Sequence, residues 1–394
     1  MLNDTQARHC ARMHGYLVEQ IAAAGGWLSF ETFMDSALYA PGLGYYSAGA
    51  HKLGAGGDFT TAPEVSSLFG ACVARQCAEI LESLGGGSIL EIGAGSGRLA
   101  VDVLRRLHTL GRLPDAYWIL EVSGDLRERQ RRRLAQSLPD LIDRVHWLDQ
   151  PPEHPFDGVM LANEVLDALP VTRFRWSTAG PEELGVVNAG ASASAGEPGR
   201  ARFAWQGRPA RSAVADACRR LNSAAGGWDE GYISEYCPRL AAWTQSVTRA
   251  LRSGAALWFD YGLPRSQYYL PERHDGTLLC HFRHRAQADP FLYPGLQDIT
   301  AWVDFTALAE ASRAAGFALG GFTTQSYFLA GLKVDQEMQV MAADDANRFA
   351  RLANEARQLM LPGEMGERFK AMAWLRGSDL PLSGFALQDL RHTL

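Results

Sequence analysis

The chain has 394 residues, 47% hydrophobic and 21% charged, which suffices for two or three domain-sized units around a large core. Its formal net charge of −6 argues against a dedicated nucleic-acid-binding protein, which normally carries a basic surplus. Its six cysteines lack a Cys-x-x-Cys pair, and no apolar run reaches about 18 residues, so we expect no disulfide framework, no zinc site and no membrane span. With no signal core at the N-terminus, a cytoplasmic location is expected.

The segment before the first predicted strand is mainly helical. Helices are predicted at residues 4–24, 29–38 and 65–84, the second with Ser29 as its N-cap. Between the last two, residues 54–64 combine flexible glycines with polar side chains. This segment has the composition of a loop that closes over a ligand, although a plain surface connector explains it equally. Its polar residues are Asp58, Thr60, Thr61 and Glu64.

A glycine-rich motif joins a predicted strand at 88–92 to a predicted helix at 97–108. It reads Glu-Ile-Gly-Ala-Gly-Ser-Gly and begins at Glu91. Alternate glycines let a ligand approach the backbone where a side chain would collide. Glu91 stands where a carboxylate could orient a cationic amino or sulfonium group, which is typical of S-adenosylmethionine binding. The glycines are Gly93, Gly95 and Gly97.

Two other interpretations of this motif stay open at this point. Gly95, Gly97 and Ala100 match the dinucleotide fingerprint G-x-G-x-x-G/A loosely. A strand-to-helix turn without any ligand also uses glycine. Since no Walker sequence ending in Gly-Lys-Ser/Thr occurs, nucleotide hydrolysis has little support.

Strands and helices alternate through the central part of the chain, which predicts a mostly parallel sheet with helices on both faces. Strands are predicted at 88–92, 116–121, 143–148 and 156–162, and helices at 97–108 and 124–137. Ligands of such sheets bind beyond the carboxyl ends of the strands. The arginine-rich run at 126–134, within the second helix, is interpreted as a solvated helix face.

Polar residues follow three of these strands. Glu121 stands where a carboxylate accepts ribose hydroxyls, with Val122 beside it. Leu148 and Asp149 end the third strand, where an adenine would stack. Asn163 and its neighbour Glu164 end the fourth strand, at the edge that faces the transferable methyl group. The competing explanations are an acid favoured by a helix N-terminus for Glu121, a loop residue for Asp149, and helix capping by Asn163 with Asp167 pointing to solvent.

The second half of the chain contains two excursions from this pattern. Residues 171–231 look like an antiparallel insertion with a low-complexity loop at 189–199, and 255–262 look like a buried fifth strand. The excursion 263–303 carries three histidines without metal-binding spacing, so no metal is expected. A closing strand hairpin is predicted at 317–331, and the remainder from Gln336 is predicted to be helical.

With these motifs in order along nearly the whole chain, the sequence resembles the MidA-like family of S-adenosylmethionine-dependent methyltransferases. This family is related to the mitochondrial complex I assembly-factor arginine methyltransferase. The residues that carry the resemblance are 33–46 (FMDSALYAPGLGYY), 57–64 (GDFTTAPE), 90–97 (LEIGAGSG), 163–171 (NEVLDALPV), 260–262 (DYG), 298–305 (DITAWVDF) and 365–370 (MGERFK).

The resemblance implies an α/β fold, with a Rossmann-like seven-stranded class I methyltransferase sheet. Its expected parts are an N-terminal helical region with a cofactor lid (1–84), the two halves of the core (85–170 and 232–331, the latter with the lid excursion 263–303), the substrate-recognition insertion (171–231) and a C-terminal helical segment (332–394). The expected contacts to S-adenosylmethionine are Asp58, Thr60, Thr61, Glu64, Glu91, Gly93, Ala94, Gly95, Gly97, Glu121, Val122, Leu148, Asp149, Asn163 and Glu164.

The resemblance also implies methyl transfer to an arginine side chain of a partner protein, with a role in respiratory-complex assembly. Guanidinium is a poor nucleophile, so its site should hold it between carboxylates. The candidates are Glu164, Asp167 and Glu235, with Asp260 weaker. A small-molecule methyltransferase, favoured if a deep closed pocket surrounds Tyr268 and Tyr269, and a non-catalytic cofactor-binding assembly factor are the alternatives. A homodimer also stays open.

Overall fold

The structure is a computed structural model that describes residues 2–47, 61–190, 203–377 and 379–394. Its strands are β1 (Leu28–Ser29), β2 (Ser88–Ile92), β3 (Tyr117–Leu120), β4 (Val145–Leu148), β5 (Phe156–Asn163), β6 (Thr172–Arg175), β7 (Glu182–Asn188), β8 (Phe203–Pro209), β9 (Ile233–Tyr236), β10 (Leu251–Leu263), β11 (Leu279–Phe282), β12 (Arg285–Gln287), β13 (Asp298–Thr300), β14 (Val303–Asp304), β15 (Ala318–Thr324) and β16 (Phe369–Arg376).

The helices alternate with these strands through the core and cluster at both ends of the chain. They are α1 (Asp4–Ala23), α2 (Phe30–Tyr39), α3 (Ala62–Val65), α4 (Ser67–Leu84), α5 (Arg98–Thr109), α6 (Gly124–Ser137), α7 (Ser212–Ala224), α8 (Leu240–Thr248), α9 (Arg265–Tyr268), α10 (Phe305–Ala314), α11 (Gln325–Gly331), α12 (Val334–Ala342) and α13 (Ala346–Met360). Within the described ranges, none of them is long and apolar enough to cross a membrane.

The central sheet has the strand order β15-β16-β10-β5-β2-β3-β4, with the short β14 added beside β10. Strands β2, β3, β4, β5 and β10 run parallel, whereas β16 is antiparallel to both of its neighbours. Apolar clusters cover both faces of the sheet. The predicted seven-stranded α/β fold is therefore confirmed, and its strand order reverses between β2 and β5, where ligands bind in such sheets.

The C-terminal part of the chain differs from the prediction. The expected hairpin at 317–331 is wrong, because β15 is followed directly by α11. The strand that pairs with β15 is β16, in a segment predicted to be helical. Alanine, methionine and leucine in β16 favour helix locally, but pairing on both sides inside the sheet outweighs that preference.

A second, antiparallel sheet combines three strands of the insertion 171–231 with β1 from the N-terminal segment and β9, which follows the insertion. Its order is β1-β7-β6-β9, with β8 also paired to β7. Helices α1 and α2 contact this sheet, while α4 packs against α5 and β5 of the central sheet. The predicted N-terminal region of residues 1–84 is thus divided between the two sheets. The loop prediction at 189–199 falls mostly outside the described residues, which stop at 190 and resume at 203.

The excursion after β10 forms a small sheet, β12-β11-β13, and returns to the core through β14. It is fastened to the end of β5, because the Ala301 amide donates to the Asp167 carbonyl at 3.0 Å. Its strand β13 ends one residue before this bond. The excursion therefore lies beside the carboxyl end of the central sheet.

Gly158 of β5 and Gly254 of β10 allow the close approach of β2, β5 and β10. Gly158 has φ +145°, and a Cβ there would lie 1.9 Å from the Ser88 carbonyl oxygen. We expect Gly158→Ala to lower the free energy of unfolding by roughly 3 kcal/mol or more, measured by urea denaturation. Gly180 has φ +128° with open space around it, so Gly180→Ala should cost about 1 kcal/mol. Equal losses in both variants would contradict the packing argument.

Candidate active site

The glycine motif forms a tight loop between β2 and α5. Its three glycines all have positive φ: 65° at Gly93, 53° at Gly95 and 79° at Gly97. A Cβ on Gly93 would lie 3.1 Å from Val165 Cγ2, so the backbone is closely packed on that side. The Gly97 amide closes the turn by donating to the Ala94 carbonyl at 2.7 Å. Side chains at these glycines would be strained, and the loop exposes its backbone to a ligand.

Helix α6 holds this loop in place through Gln130, which is fully buried. The Gln130 amide nitrogen donates to the Gly95 carbonyl at 3.0 Å and to Glu121 Oε2 at 3.1 Å. Its oxygen accepts from Trp147 Nε1 at 2.9 Å. Sequence reasoning missed this residue. The available signal was its spacing of four from the buried Leu126 and Leu134, which places it on the inner face of the helix.

Arginines of the same helix also contact the site, so the interpretation of this run as a solvated face is wrong for part of it. Arg127 Nε donates to the Glu121 carbonyl at 2.5 Å. Arg133 Nη1 donates to Ser96 Oγ at 2.6 Å and to Glu64 Oε1 at 3.1 Å. The Ser96 hydroxyl donates to the same Glu64 oxygen. These bonds fasten the start of α3 to the glycine loop.

The residues predicted to form a lid are only partly described. Thr61 and Glu64 line the same cavity as the glycine loop. Asp58 and Thr60 lie outside the described residues, in the gap between 47 and 61. The contribution of these two side chains to a cofactor site therefore stays a prediction.

Glu91 is buried near the end of β2 and lines the cavity. Its Oε2 accepts a hydrogen bond from the Tyr117 hydroxyl at 2.6 Å. Burial raises the pKa of Glu91 to about 7, against the lowering effect of this hydrogen bond. The carboxyl group of Glu91 therefore ionises near neutral pH, and a cationic ligand beside it would favour the ionised carboxylate.

Glu121 follows β3 and is also buried in the wall of the cavity. Its Oε1 accepts from the Ser123 amide at 2.9 Å, and Gln130 holds its other oxygen. Burial raises its pKa. Val122 lines the cavity too, but Leu148 and the exposed Asp149 do not. The structure thus brings the expected ribose contact to the glycine loop and leaves the expected adenine contact outside.

The polar end of β5 lies on the opposite side of the glycine loop. Glu164 has φ 53°, and its amide donates to the Phe259 carbonyl at 2.8 Å. Its Oε1 accepts from Asn163 Nδ2 at 3.0 Å and from the Ala62 amide at 3.4 Å. Burial and the charge of Asp167 raise the pKa of Glu164 to about 8. Both Asn163 and Glu164 line the cavity, and the buried Asn163 Oδ1 has no hydrogen-bond partner among the described residues.

Two further carboxylates lie behind Glu164. Asp167 Oδ2 accepts from the Tyr261 hydroxyl at 2.5 Å, and burial raises the pKa of Asp167 to about 6. Asp260 accepts from the amides of Leu166 and Asp167 at 2.9 and 3.3 Å, so it caps the turn after β5. Its pKa is raised by burial and by the charges of Asp167 and Glu164. Neither aspartate lines the cavity.

The structure does not bring Glu235 to this group. It lies on β9 of the antiparallel sheet, fully buried, with Oε1 accepting from the Thr277 amide at 2.6 Å and from the Tyr268 hydroxyl at 3.2 Å. Because it is enclosed by the excursion after β10 and does not line the cavity, it cannot contact an acceptor held there.

The cavity between the glycine loop and Glu164 measures about 360 Å³, within the size range of small-ligand sites. Its residues fit S-adenosylmethionine: a cradle of positive-φ glycines, a buried carboxylate after β3, and at the end of β5 an Asn163 oxygen to which no described residue donates. In the described part of the chain, no group of three or more histidine, cysteine or acidic side chains is placed to hold a metal ion.

The raised pKa of Glu164 makes the stability of the ligand-free protein depend on pH. A carboxyl group that gains protons on folding contributes stability below its unfolded pKa of 4.5, and that contribution is lost as pH rises through its folded pKa of about 8. We therefore expect the free energy of unfolding, measured by urea denaturation, to fall between pH 5 and pH 9. Glu164→Gln should reduce this fall by on the order of 1–2 kcal/mol, whereas an unchanged slope would contradict a neutral Glu164.

Comparison with known proteins identifies the family. A family model described as an S-adenosyl-L-methionine-dependent methyltransferase matches residues 72–323. "Protein arginine methyltransferase NDUFAF7, mitochondrial" from Danio rerio is 30% identical over 93% of this chain and 87% of its own length. The Homo sapiens protein of that name is 27% identical over 91% of this chain and 82% of its own length.

A solved structure agrees with these relatives. It is a superfamily member and methyltransferase candidate from Burkholderia thailandensis, crystallised with S-adenosyl-homocysteine. It is 41% identical to this chain, with a TM-score of 0.93 over 100% of this chain and 99% of its own.

These comparisons confirm or contradict several of the expectations from the sequence. The resemblance to the MidA-like family is confirmed, and the dinucleotide interpretation of the glycine motif is wrong. The expected cytoplasmic location is contradicted, because the curated relatives are named as mitochondrial proteins. The chain belongs to this family of S-adenosylmethionine-dependent methyltransferases and is an enzyme of that class.

Proposed function

We propose that the enzyme transfers a methyl group to an arginine side chain of a partner protein. The observation that carries this proposal is the placement of Glu164 in the wall of the cofactor-sized cavity. No basic side chain among the described residues forms an ion pair with Glu164, Asp167 or Asp260. A cationic acceptor would supply the missing positive charge, and guanidinium matches a carboxylate in geometry as well as in charge.

The cofactor contacts we propose follow from the walls of the same cavity. The backbone of the glycine loop and Glu91 would hold the amino-acid end, while Glu121 would accept the ribose hydroxyls. When bound, S-adenosylmethionine supplies a methyl group activated by a positively charged sulfur. Glu64, in the wall of the cavity, and Arg133, outside it, would stabilise the loop through Ser96.

Glu164 is suited to hold and orient the acceptor nitrogen. Its Oε1 already accepts two hydrogen bonds, whereas no described residue donates to Oε2. Oε2 can therefore accept from a guanidinium N–H and localise its charge on one side. A bound cationic acceptor lowers the pKa of Glu164 from its ligand-free value of about 8 and so favours the carboxylate form. The nitrogen that gains the methyl group must lose a proton, and this carboxylate can then accept it.

Asp167 and Asp260 would act through the turn that carries Glu164. Asp260 accepts from two amides of this turn, and the Tyr261 hydroxyl fixes Asp167. The charge of Asp167 also raises the pKa of Glu164, and it would attract a cation. We therefore propose Glu164 as the residue that contacts the acceptor and the two aspartates as positioning residues.

The names of the curated relatives support an arginine acceptor, since they are protein arginine methyltransferases. A role in respiratory-complex assembly, and docking of the partner on the insertion 171–231, belong to the same proposal and rest on the resemblance. The small-molecule alternative receives no support from the pocket at Tyr268 and Tyr269. That cavity, about 490 Å³, is not lined by the glycine loop or by Glu164.

The test is the chemical identity of the methylated residue. The purified chain is incubated with methyl-labelled S-adenosylmethionine and a protein extract from cells that lack it, and the labelled protein is hydrolysed for amino-acid analysis. We expect the label in N-methylated arginine. Label in another amino acid or only in small molecules would contradict the arginine assignment, and no label in any fraction would favour a non-catalytic assembly protein.

A further inference from the structure

Two tyrosines from the N-terminal segment reach the cavity of the methyltransferase core. Tyr39 is the last residue of α2, and Tyr46 follows in the turn-rich segment. Their rings are nearly parallel, with centroids 5.5 Å apart and an interplanar angle of 19°. Both are partly buried and line the cavity together with Glu164. The N-terminal segment thus supplies an aromatic wall to a site whose other walls come from the central sheet.

Both hydroxyl groups are fastened to elements beside the carboxylates. The Tyr39 hydroxyl donates to the Ala168 carbonyl at 2.9 Å, next to Asp167. The Tyr46 hydroxyl donates to both carboxylate oxygens of Asp298 on β13 at 3.1 Å. These bonds fix the two rings between the end of β5 and the excursion after β10, and such support preorganises a binding site.

The tyrosines do not serve as bases at neutral pH. Burial raises the pKa of both hydroxyls well above the ordinary value of 10, and the charge of Asp298 adds to the effect. The remaining functional property of these side chains is the aromatic ring itself. A ring with carboxylates nearby matches the planar guanidinium group, which stacks on aromatic faces while its N–H groups donate in the ring plane.

We propose that Tyr39 and Tyr46 form the aromatic wall of the acceptor pocket and make the pocket select a guanidinium group over an ammonium group. This inference rests on the arginine acceptor proposed above. An ammonium group is compact and strongly hydrated, so it gains less from a flat aromatic wall than a guanidinium group does. The proposal assigns most of the selection to residues of the N-terminal segment, because the negative charge of Glu164 and the aspartates attracts both cations. The geometric match between a carboxylate and a guanidinium group adds to the contribution of the rings.

The test compares two small probes on the protein saturated with S-adenosyl-homocysteine. N-acetyl-arginine amide and N-acetyl-lysine amide are titrated, and the ratio of their dissociation constants is measured by NMR or calorimetry. We expect the wild type to favour the arginine probe by roughly tenfold or more. Tyr46→Leu, which removes the ring, should lower this ratio to less than about threefold. Tyr46→Phe, which keeps the ring and removes the bond to Asp298, should retain most of the preference.

Affinity for S-adenosyl-homocysteine is measured in every variant as the control and should stay within about threefold of the wild type. If Tyr46→Leu does not fold, Tyr39→Leu carries the same expectation. Three results would overturn the role of the aromatic wall without contradicting the arginine acceptor. They are an unchanged ratio in the leucine variant, an equal loss of preference in Tyr46→Phe and Tyr46→Leu, and a parallel loss of affinity for S-adenosyl-homocysteine. A wild type without preference for the arginine probe would contradict both this inference and the proposed function.

Discussion

Glu164→Gln is expected to reduce methyl transfer at least a hundredfold while leaving the affinity for S-adenosyl-homocysteine within about threefold of the wild type. Glutamine keeps an oxygen for the bonds from Asn163 and the Ala62 amide, so the turn should keep its shape. It removes the negative charge that would hold a guanidinium group and the group that would take its proton. Activity is measured as label incorporated into protein, and affinity by calorimetry.

The matched control for this variant is Glu153→Gln, which makes the same chemical change at an exposed glutamate outside the cavity. The control should leave both quantities within about twofold. Two results would contradict the assignment: full activity in Glu164→Gln would remove Glu164 from the acceptor site, and a large loss of cofactor affinity would place it in the cofactor site.

Glu121→Ala is expected to weaken binding of S-adenosyl-homocysteine by roughly thirtyfold, which corresponds to about 2 kcal/mol for hydrogen bonds to a charged group. The carboxylate is buried at the end of β3 and is held toward the cavity by Ser123 and Gln130. Removing it leaves the ribose hydroxyls without this acceptor, and Asp149, which follows the neighbouring strand β4, is exposed and outside the cavity.

Calorimetry of the ligand checks this expectation, and circular dichroism checks that the variant is folded. Gln130 keeps its bond to the Gly95 carbonyl in the variant, so the glycine loop should stay in place. Unchanged affinity would exclude Glu121 from the ribose site. The exposed Glu153, changed to alanine, serves again as the matched control.

Hydrophobic patterns in the sequence predicted those helices and strands whose formation depends on the burial of their own side chains. Residues 88–92 form β2 as predicted, and Ser29 caps α2 by accepting from the Thr32 amide at 3.3 Å. An apolar run that ends in polar residues identified the carboxyl ends of β2, β3 and β5. Because parallel strands present these ends at one edge, Glu91, Glu121 and Glu164 were predicted to lie close together, and all three line one cavity.

Features that depend on distant pairing could not be read from local patterns. Strand β16 has a helix-forming composition and becomes a strand only because β10 and β15 flank it. Glu235 has the same chemistry as Glu164, but its strand joins the antiparallel sheet, which turns it away from the cavity. Gln130 was not predicted as a site residue, because it lies in an arginine-rich run that was interpreted from its charge alone.

The most direct measurement is a crystal structure of the chain with S-adenosyl-homocysteine and the arginine peptide that the labelling experiment identifies. We expect the ribose hydroxyls on the Glu121 carboxylate and a guanidinium nitrogen within hydrogen-bond distance of a Glu164 oxygen. A guanidinium group bound outside the cavity, or a Glu164 side chain directed away from it, would contradict the proposed roles of both residues.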